Sequence, residues 1–110
     1  MVHYENMRSG VLRNLTYEQM AELQDIIGVK ITTKRRRYVR VAILAVLKYD
    51  NEGNVALTSH QVEERVQKYI SQRVEITNRM AASALATMHR LGMIERVTDK
   101  PERTYRLEKI

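Results

Sequence analysis

The spacing of apolar residues predicts four helices followed by a β-hairpin. The stretches LTYEQM (15–20) and LTSHQV (57–62) each place Thr three residues before Gln, with apolar residues on either side. Such a capping box with a hydrophobic staple marks a helix start. A first helix is therefore expected from about residue 17 to 27, where Gly28 ends it, and a third from about 59 to 70.

The second predicted helix begins near Thr33 and ends near Tyr49. Its middle, VAILAVL (41–47), is apolar on all sides. A run of about 16 residues favours a helix over a strand, so we expect this segment to be the buried central helix. Residues 55–57, which follow a turn, allow only a very short strand.

The last third of the chain joins a helix rich in small residues to an alternating segment. The fourth helix is expected between a cap at Thr77 and Gly92. Beyond it, MIERVT and RTYRLEKI flank the turn DKPE, and the second alternates apolar with polar residues as a half-buried strand does. Pro101 suits the hairpin loop and would not suit a central strand.

The fourth helix has two different faces on a helical wheel. The inner face gathers Met80, Ala81, Ala84, Leu85, Met88 and Leu91. The outer face carries Arg79, Ala82, Ser83, Ala86 and Arg90, with Asn78 and Thr87 on its flanks. It has no acidic residue, its short side chains permit close approach to a major groove, and Asn, Ser and Arg can bind base edges or phosphate. An ordinary amphipathic helix that uses Ala for its helix propensity is the alternative.

The net charge of +6 comes from one segment. Residues 30–40 hold 6 basic residues and no acidic one, which leaves 13 basic against 13 acidic residues elsewhere. Lys34, Arg35, Arg36 and Arg37 begin the second helix, where cations oppose the helix dipole. A focused basic patch suits a polyanion such as nucleic acid, and a solvated basic helix end is the alternative.

Composition argues against several other classes of site. The chain has no cysteine, and its three histidines lack the spacing of metal ligands. It has no glycine-rich phosphate loop, and its longest apolar stretch is far shorter than the roughly 20 residues of a membrane span. Because a signal peptide is also not recognisable, we expect a cytoplasmic, nucleoid-associated protein without metal, cofactor, membrane contact or enzymatic activity.

The stretch NRMAASALATMHRLGMIERV (78–97) resembles the recognition helix and first wing strand of prokaryotic winged helix-turn-helix regulators, including the MarR and PadR types. In those families the helix ends in Leu-x-x-Gly-hydrophobic-Ile-x-Arg or close to it, and this chain has MHRLGMIER at 88–96. The resemblance covers about residues 33–110. It implies an α+β fold that is mainly α, with a small β-hairpin wing and an extra N-terminal helix.

The resemblance also implies a set of DNA contacts. The recognition helix, about 77–91, would lie in the major groove, and the wing, about 93–110, on the adjacent groove or backbone. The implied contacts are Thr77, Asn78, Arg79, Ala82, Ser83, Thr87 and Arg90 on the helix, with Lys100 and Arg103 at the wing tip. Lys34 to Arg37 match no such element, but they begin the helix that supports the motif and are expected to contact phosphate. Arg73, in the connector before the fourth helix, is another candidate phosphate contact. For Arg73 and Arg103 a solvated surface position is the alternative.

Residues 29–110 would form the DNA-binding domain, and residues 1–28 an N-terminal arm and helix. Met20, Leu23 and Ile27 form a narrow apolar stripe on that helix. The stripe could pair with a copy of itself in a homodimer, or it could fold back onto its own domain. Proteins of this kind usually dimerise and bind two half-sites.

The expected function is that of a sequence-selective, dimeric protein that binds double-stranded DNA as a transcriptional regulator. Small winged-helix proteins also serve as centromere-binding adaptors in plasmid or chromosome partition, where a protein partner joins them on DNA. A protein-interaction subunit that no longer touches DNA is an alternative from another class, although it does not require an acid-free helix face or a basic patch.

Overall fold

The computed structural model describes residues 11–28, 34–51 and 55–107, except for the side chains of residues 34–36. The elements in these ranges are the helices α1 (Tyr17–Ile27), α2 (Lys34–Tyr49), α3 (Ser59–Val66) and α4 (Asn78–Arg90) and the strands β1 (Leu57–Thr58), β2 (Ile94–Thr98) and β3 (Thr104–Leu107). They form a mixed α+β fold. Strand β1 lies between α2 and α3 in the chain, and the other two strands follow α4.

Both predicted capping boxes are confirmed. The Thr16 hydroxyl accepts a hydrogen bond from the Gln19 backbone at 3.1 Å, and the Gln19 side chain accepts one from the Thr16 backbone at 2.9 Å. Thr58 and Gln61 make the same pair of bonds at the start of α3. Helix α1 ends at Gly28, whose φ of +64° suits a residue without Cβ. Each cap satisfies backbone groups that a helix leaves open at its ends.

Helix α3 is shorter than its sequence pattern predicts. It ends at Val66, and the chain continues in tighter turns in which Lys68 N–H donates to the Arg65 carbonyl and Tyr69 N–H to that of Val66. Hydrogen bonds between residues three positions apart, as in a 3₁₀ turn, are common at the ends of α-helices. Tyr69 and Ile70 are nevertheless buried, so the apolar period continues past the helix itself.

Helix α2 is the centre of the core. Residues 41–47 are each at most 1% exposed, as the apolar run predicts. Helices α1, α3 and α4 and strand β3 all pack against α2. Because a helix that is apolar all round must be covered on every side, this one segment arranges the other elements around it. Within the described ranges no helix has the length and apolar character that crossing a membrane requires.

Helix α1 packs against its own chain. Met20, Leu23 and Ile27 are 4%, 0% and 1% exposed and belong to the same core as α2. The backbone before α1 is also held, because Leu12 forms an antiparallel bridge with Ile70. The assignment of the apolar stripe to a dimer contact is therefore corrected: the stripe packs against its own domain. The helical spacing of apolar residues alone could not distinguish this packing from pairing with a second copy.

The three strands form one antiparallel sheet in the order β1-β3-β2. The predicted hairpin of β2 and β3 is extended by β1, which begins at Leu57 rather than at Val55. Tyr105 sits in the central strand, opposite Leu57 on one side and Arg96 on the other, and is 3% exposed. The sheet therefore fixes the hairpin to the residues that start α3.

We expect Leu23→Ala to lower the free energy of unfolding by about 2–5 kcal/mol, because it leaves a cavity in the core. Asp25→Ala, at an exposed position of the same helix, should change it by less than about 0.5 kcal/mol. Urea unfolding followed by circular dichroism measures both. A loss at Leu23→Ala that depends on protein concentration would contradict the assignment and point to an intermolecular contact.

A polar cluster ties α1 to the end of α2. Glu22 accepts a hydrogen bond from the Tyr49 hydroxyl at 3.0 Å and forms an ion pair with Lys48. The hydrogen bond from Lys48, followed by that from Tyr49, lowers the pKa of the Glu22 carboxyl. Burial, followed by the hydrogen bond to Glu22, raises the pKa of Tyr49 to about 12. The neutral hydroxyl is therefore the form that the folded state prefers.

Stability should accordingly fall as pH rises from about 10 to about 12. A phenol whose pKa is raised by folding stabilises the protein below its unfolded pKa of about 10 and loses that contribution as pH passes the folded value. Tyr49→Phe and Glu22→Gln should each reduce the slope of unfolding free energy against pH in this window, measured by urea unfolding. A wild-type slope in Tyr49→Phe would contradict the role of this cluster.

Candidate nucleic-acid interface

Helix α4 has the two faces that its sequence predicts. Ala81, Leu85 and Met88 are fully buried against the rest of the chain. Arg79, Ser83 and Arg90 are exposed, and Ala82 and Ala86 between them are half-buried. The result is an exposed strip of short side chains with an arginine near each end. At a rise of 1.5 Å per residue, the strip from Arg79 to Arg90 is about 16 Å long.

The two residues that start α4 serve the fold. The Thr77 hydroxyl accepts a hydrogen bond from the Met80 backbone at 3.1 Å and caps the helix. The Asn78 amide donates to the Ser59 hydroxyl at 3.2 Å, which joins the start of α4 to the start of α3. Both had been expected to contact DNA. Asn78 keeps its amide oxygen and one N–H for another partner, whereas the Thr77 hydroxyl already accepts the capping bond.

A groove of about 510 Å³ runs between α2 and α4. It is lined by Val39, Arg40, Arg79, Met80, Ser83, Ala84 and Thr87. Arg40 and Arg79 therefore contribute to one groove from two different helices. Arg40 was not among the predicted DNA contacts, although it lies three residues after Arg37, nearly one helical turn further along α2.

The two helices that form this groove contain no acidic residue. The 16 residues of α2 include Lys34, Arg35, Arg36, Arg37, Arg40 and Lys48, and the 13 residues of α4 include Arg79 and Arg90. By contrast, α1 carries Glu18, Glu22 and Asp25 and no basic residue. The two helices of the groove thus differ in charge from α1, and the surface between α2 and α4 is a favourable position for a polyanion.

The predicted cations at the start of α2 are described in part. Arg37 is half-buried, whereas the side chains of Lys34, Arg35 and Arg36 lie outside what the structure describes. The backbone at these three positions is helical, so they begin the helix that carries Arg40 into the groove. Residues 29–33, which include Lys30, also lie outside the described ranges.

The hairpin tip carries balanced charges. Arg103 Nε lies 3.0 Å from Asp99 Oδ1, and Glu102 is the residue before Arg103 in the chain. The two cations of the tip, Lys100 and Arg103, are therefore matched by two acids. Glu102 and Arg103 also line a second groove of about 490 Å³, on the side of α4 that faces the start of α3. This tip is less suited to bind phosphate than the sequence alone indicates.

The remaining predicted DNA contacts are either exposed or hydrogen-bonded to a neighbouring side chain. Arg73 is exposed in the connector between α3 and α4, where its backbone N–H donates to the Ser71 hydroxyl at 3.2 Å. Arg90 donates from its guanidinium to the Thr87 hydroxyl at 3.3 Å, which holds both side chains along α4. The structure therefore brings Arg79, Ser83 and Thr87 together in one groove and leaves Arg73 outside both grooves.

The turn after α4 directs the chain into the sheet. Gly92 has a φ of +78°, a conformation that residues with a Cβ rarely adopt. Beyond it, Met93 and Ile94 are buried, and His89 packs edge-on against the Tyr105 ring at 6.3 Å between centroids. These contacts set the hairpin against the C-terminal end of α4.

No three side chains among His, Cys, Asp and Glu come together in the described ranges in a way that could hold a metal ion. Comparisons with protein-family models, with curated proteins and with solved structures found no match to this chain. The groove between α2 and α4, which arginines from both helices line, is the feature on which the proposed function is based.

Proposed function

We propose that the chain is a winged helix-turn-helix protein that binds double-stranded DNA selectively and acts as a transcriptional regulator. The order of α2, α3, α4 and the β2–β3 hairpin supports this assignment. Helix α4 would enter the major groove, and the hairpin would lie along the neighbouring backbone or groove. The resemblance of residues 78–97 to recognition helices of such regulators supports the same assignment.

The observation that carries this proposal is the acid-free surface formed jointly by α2 and α4. DNA presents one negative charge per about 1.7 Å of its axis, so a binding surface needs cations and has to exclude carboxylates. Arg40 and Arg79 line the same groove, and the exposed strip of α4 beside them is made of short side chains. A helix that enters the major groove requires both features.

The length of the strip supports a dimer on DNA. About 16 Å covers roughly five base pairs, at 3.4 Å for each step along one strand. Five base pairs occur by chance too often to specify a site, so selective binding would use two copies on two half-sites. The dimer contact would then lie away from the buried stripe of α1, and would leave α4 of each copy exposed.

The test is fluorescence anisotropy of the full chain with the duplex upstream of its own gene and with a scrambled duplex, across a salt series. Wild-type protein should bind the upstream duplex more tightly and lose affinity steeply with salt. Ser83→Glu should weaken binding at least about tenfold, because it places a carboxylate against phosphate. Val55→Glu, at an exposed residue outside both grooves, should change affinity less than about twofold.

Each result separates the alternatives. Equal, salt-sensitive binding to both duplexes with a footprint that spreads cooperatively would favour the partition adaptor. No binding to either duplex at low salt would contradict the DNA assignment and favour a protein-interaction role. Equal effects of Ser83→Glu and Val55→Glu would show that DNA binds a surface other than α4.

A further inference from the structure

The two arginines of α4 differ in their surroundings. Arg90 is held by its hydrogen bond to Thr87, within the last turns of the helix. Arg79 is exposed, and no hydrogen bond or ion pair joins it to the part of the chain that the structure describes. An unengaged guanidinium keeps all five of its N–H donors for a ligand. On α4, Arg79 is therefore the side chain best able to make a two-bond contact.

The position of Arg79 suits a contact with a base. It is the second residue of α4, in the first turn of the helix. In helix-turn-helix proteins the N-terminal residues of the recognition helix are the ones that reach base edges. The next residues on the exposed face are Ala82 and Ser83, whose short side chains leave the Arg79 guanidinium free to extend past them.

The other described cations near α4 are less well placed for a contact with a base. Arg40 enters the groove from α2, close in sequence to the basic run that begins that helix. Arg103 is paired with Asp99 at the hairpin tip, and Arg90 lies at the opposite end of α4 from Arg79. Contacts with phosphate orient a protein on DNA but carry no sequence information. This leaves the base contact to the first turn of α4.

We infer that Arg79 is the principal specificity-determining residue of this protein and that it recognises a guanine through the O6 and N7 acceptors of its major-groove edge. Arginine makes this bidentate contact more readily than any other side chain. The inference rests on the proposed DNA binding and adds the base that each copy selects. One guanine in each half-site should therefore account for much of the discrimination.

The experiment begins with selection of preferred duplexes from a random pool by the full wild-type chain. Each guanine of the selected site is then replaced in turn by 7-deazaguanine, which lacks the N7 acceptor, and affinity is measured by anisotropy. One guanine per half-site should be sensitive, with a loss of about 5- to 150-fold for wild-type protein. For Arg79→Ala, the same replacement should change affinity by less than about twofold.

Two further variants separate base recognition from charge. Arg79→Lys keeps the charge but replaces the planar guanidinium by a single ammonium, so it should bind random duplexes about as well as wild type and lose part of the sensitivity to 7-deazaguanine. Arg13→Ala removes an exposed arginine outside both grooves and should retain the full sensitivity. Circular dichroism checks that each variant is folded.

The outcomes distinguish this inference from the proposed function. If Arg79→Ala keeps the wild-type sensitivity, or if no guanine is sensitive, the role of Arg79 is wrong while DNA binding stands. Binding by the wild-type chain without any sequence preference would also overturn the inference and leave only non-selective DNA binding. If the wild-type chain binds no duplex, both the inference and the proposed function fail.

Discussion

The burial of α2 on every side determines how the rest of the molecule is arranged. Because residues 41–47 are apolar around the whole circumference of the helix, α1, α3, α4 and β3 must all pack against it. Arg40 directly precedes this buried segment. Covering the middle of the helix therefore places Arg40 beside α4, and the same packing that forms the core also forms the groove between α2 and α4.

The acidic residues are also unevenly distributed among the helices. Glu22 of α1 serves the fold through its contacts with Lys48 and Tyr49, and no acid occurs in α2 or α4. The hairpin tip balances its own charges through Asp99 and Arg103. No acidic residue of the described chain lines the groove between α2 and α4, which is the physical basis of the DNA-binding proposal.

Local signals in the sequence predicted the elements well, because caps, glycine turns and apolar periods act over a few residues. The capping boxes, the end of α1 at Gly28 and the inner face of α4 are confirmed. The surface against which an apolar stripe packs was not predictable in this way, because Leu23 is buried whether α1 folds back or pairs with a copy. Period shows which residues are buried but not what covers them.

The candidate site was predictable in part for the same reason. The outer face of α4 follows from one helical wheel, whereas Arg40 belongs to the groove only because α2 and α4 pack together. The bond between Asn78 and Ser59 and the pairing of Arg103 with Asp99 likewise depend on tertiary contacts or on the hairpin turn. Contacts between elements and within the hairpin turn therefore decide which of the predicted residues already have a partner in the fold.

The most direct test of the account is a titration of the ¹⁵N-labelled full chain with a short duplex from the selected site, followed by backbone amide chemical shifts. The account predicts the largest changes on α4 between Arg79 and Thr87 and around Arg40 on α2, with small changes along α1. Changes concentrated on α1, or none in the presence of duplex at low salt, would contradict the claim that the acid-free surface between α2 and α4 binds DNA.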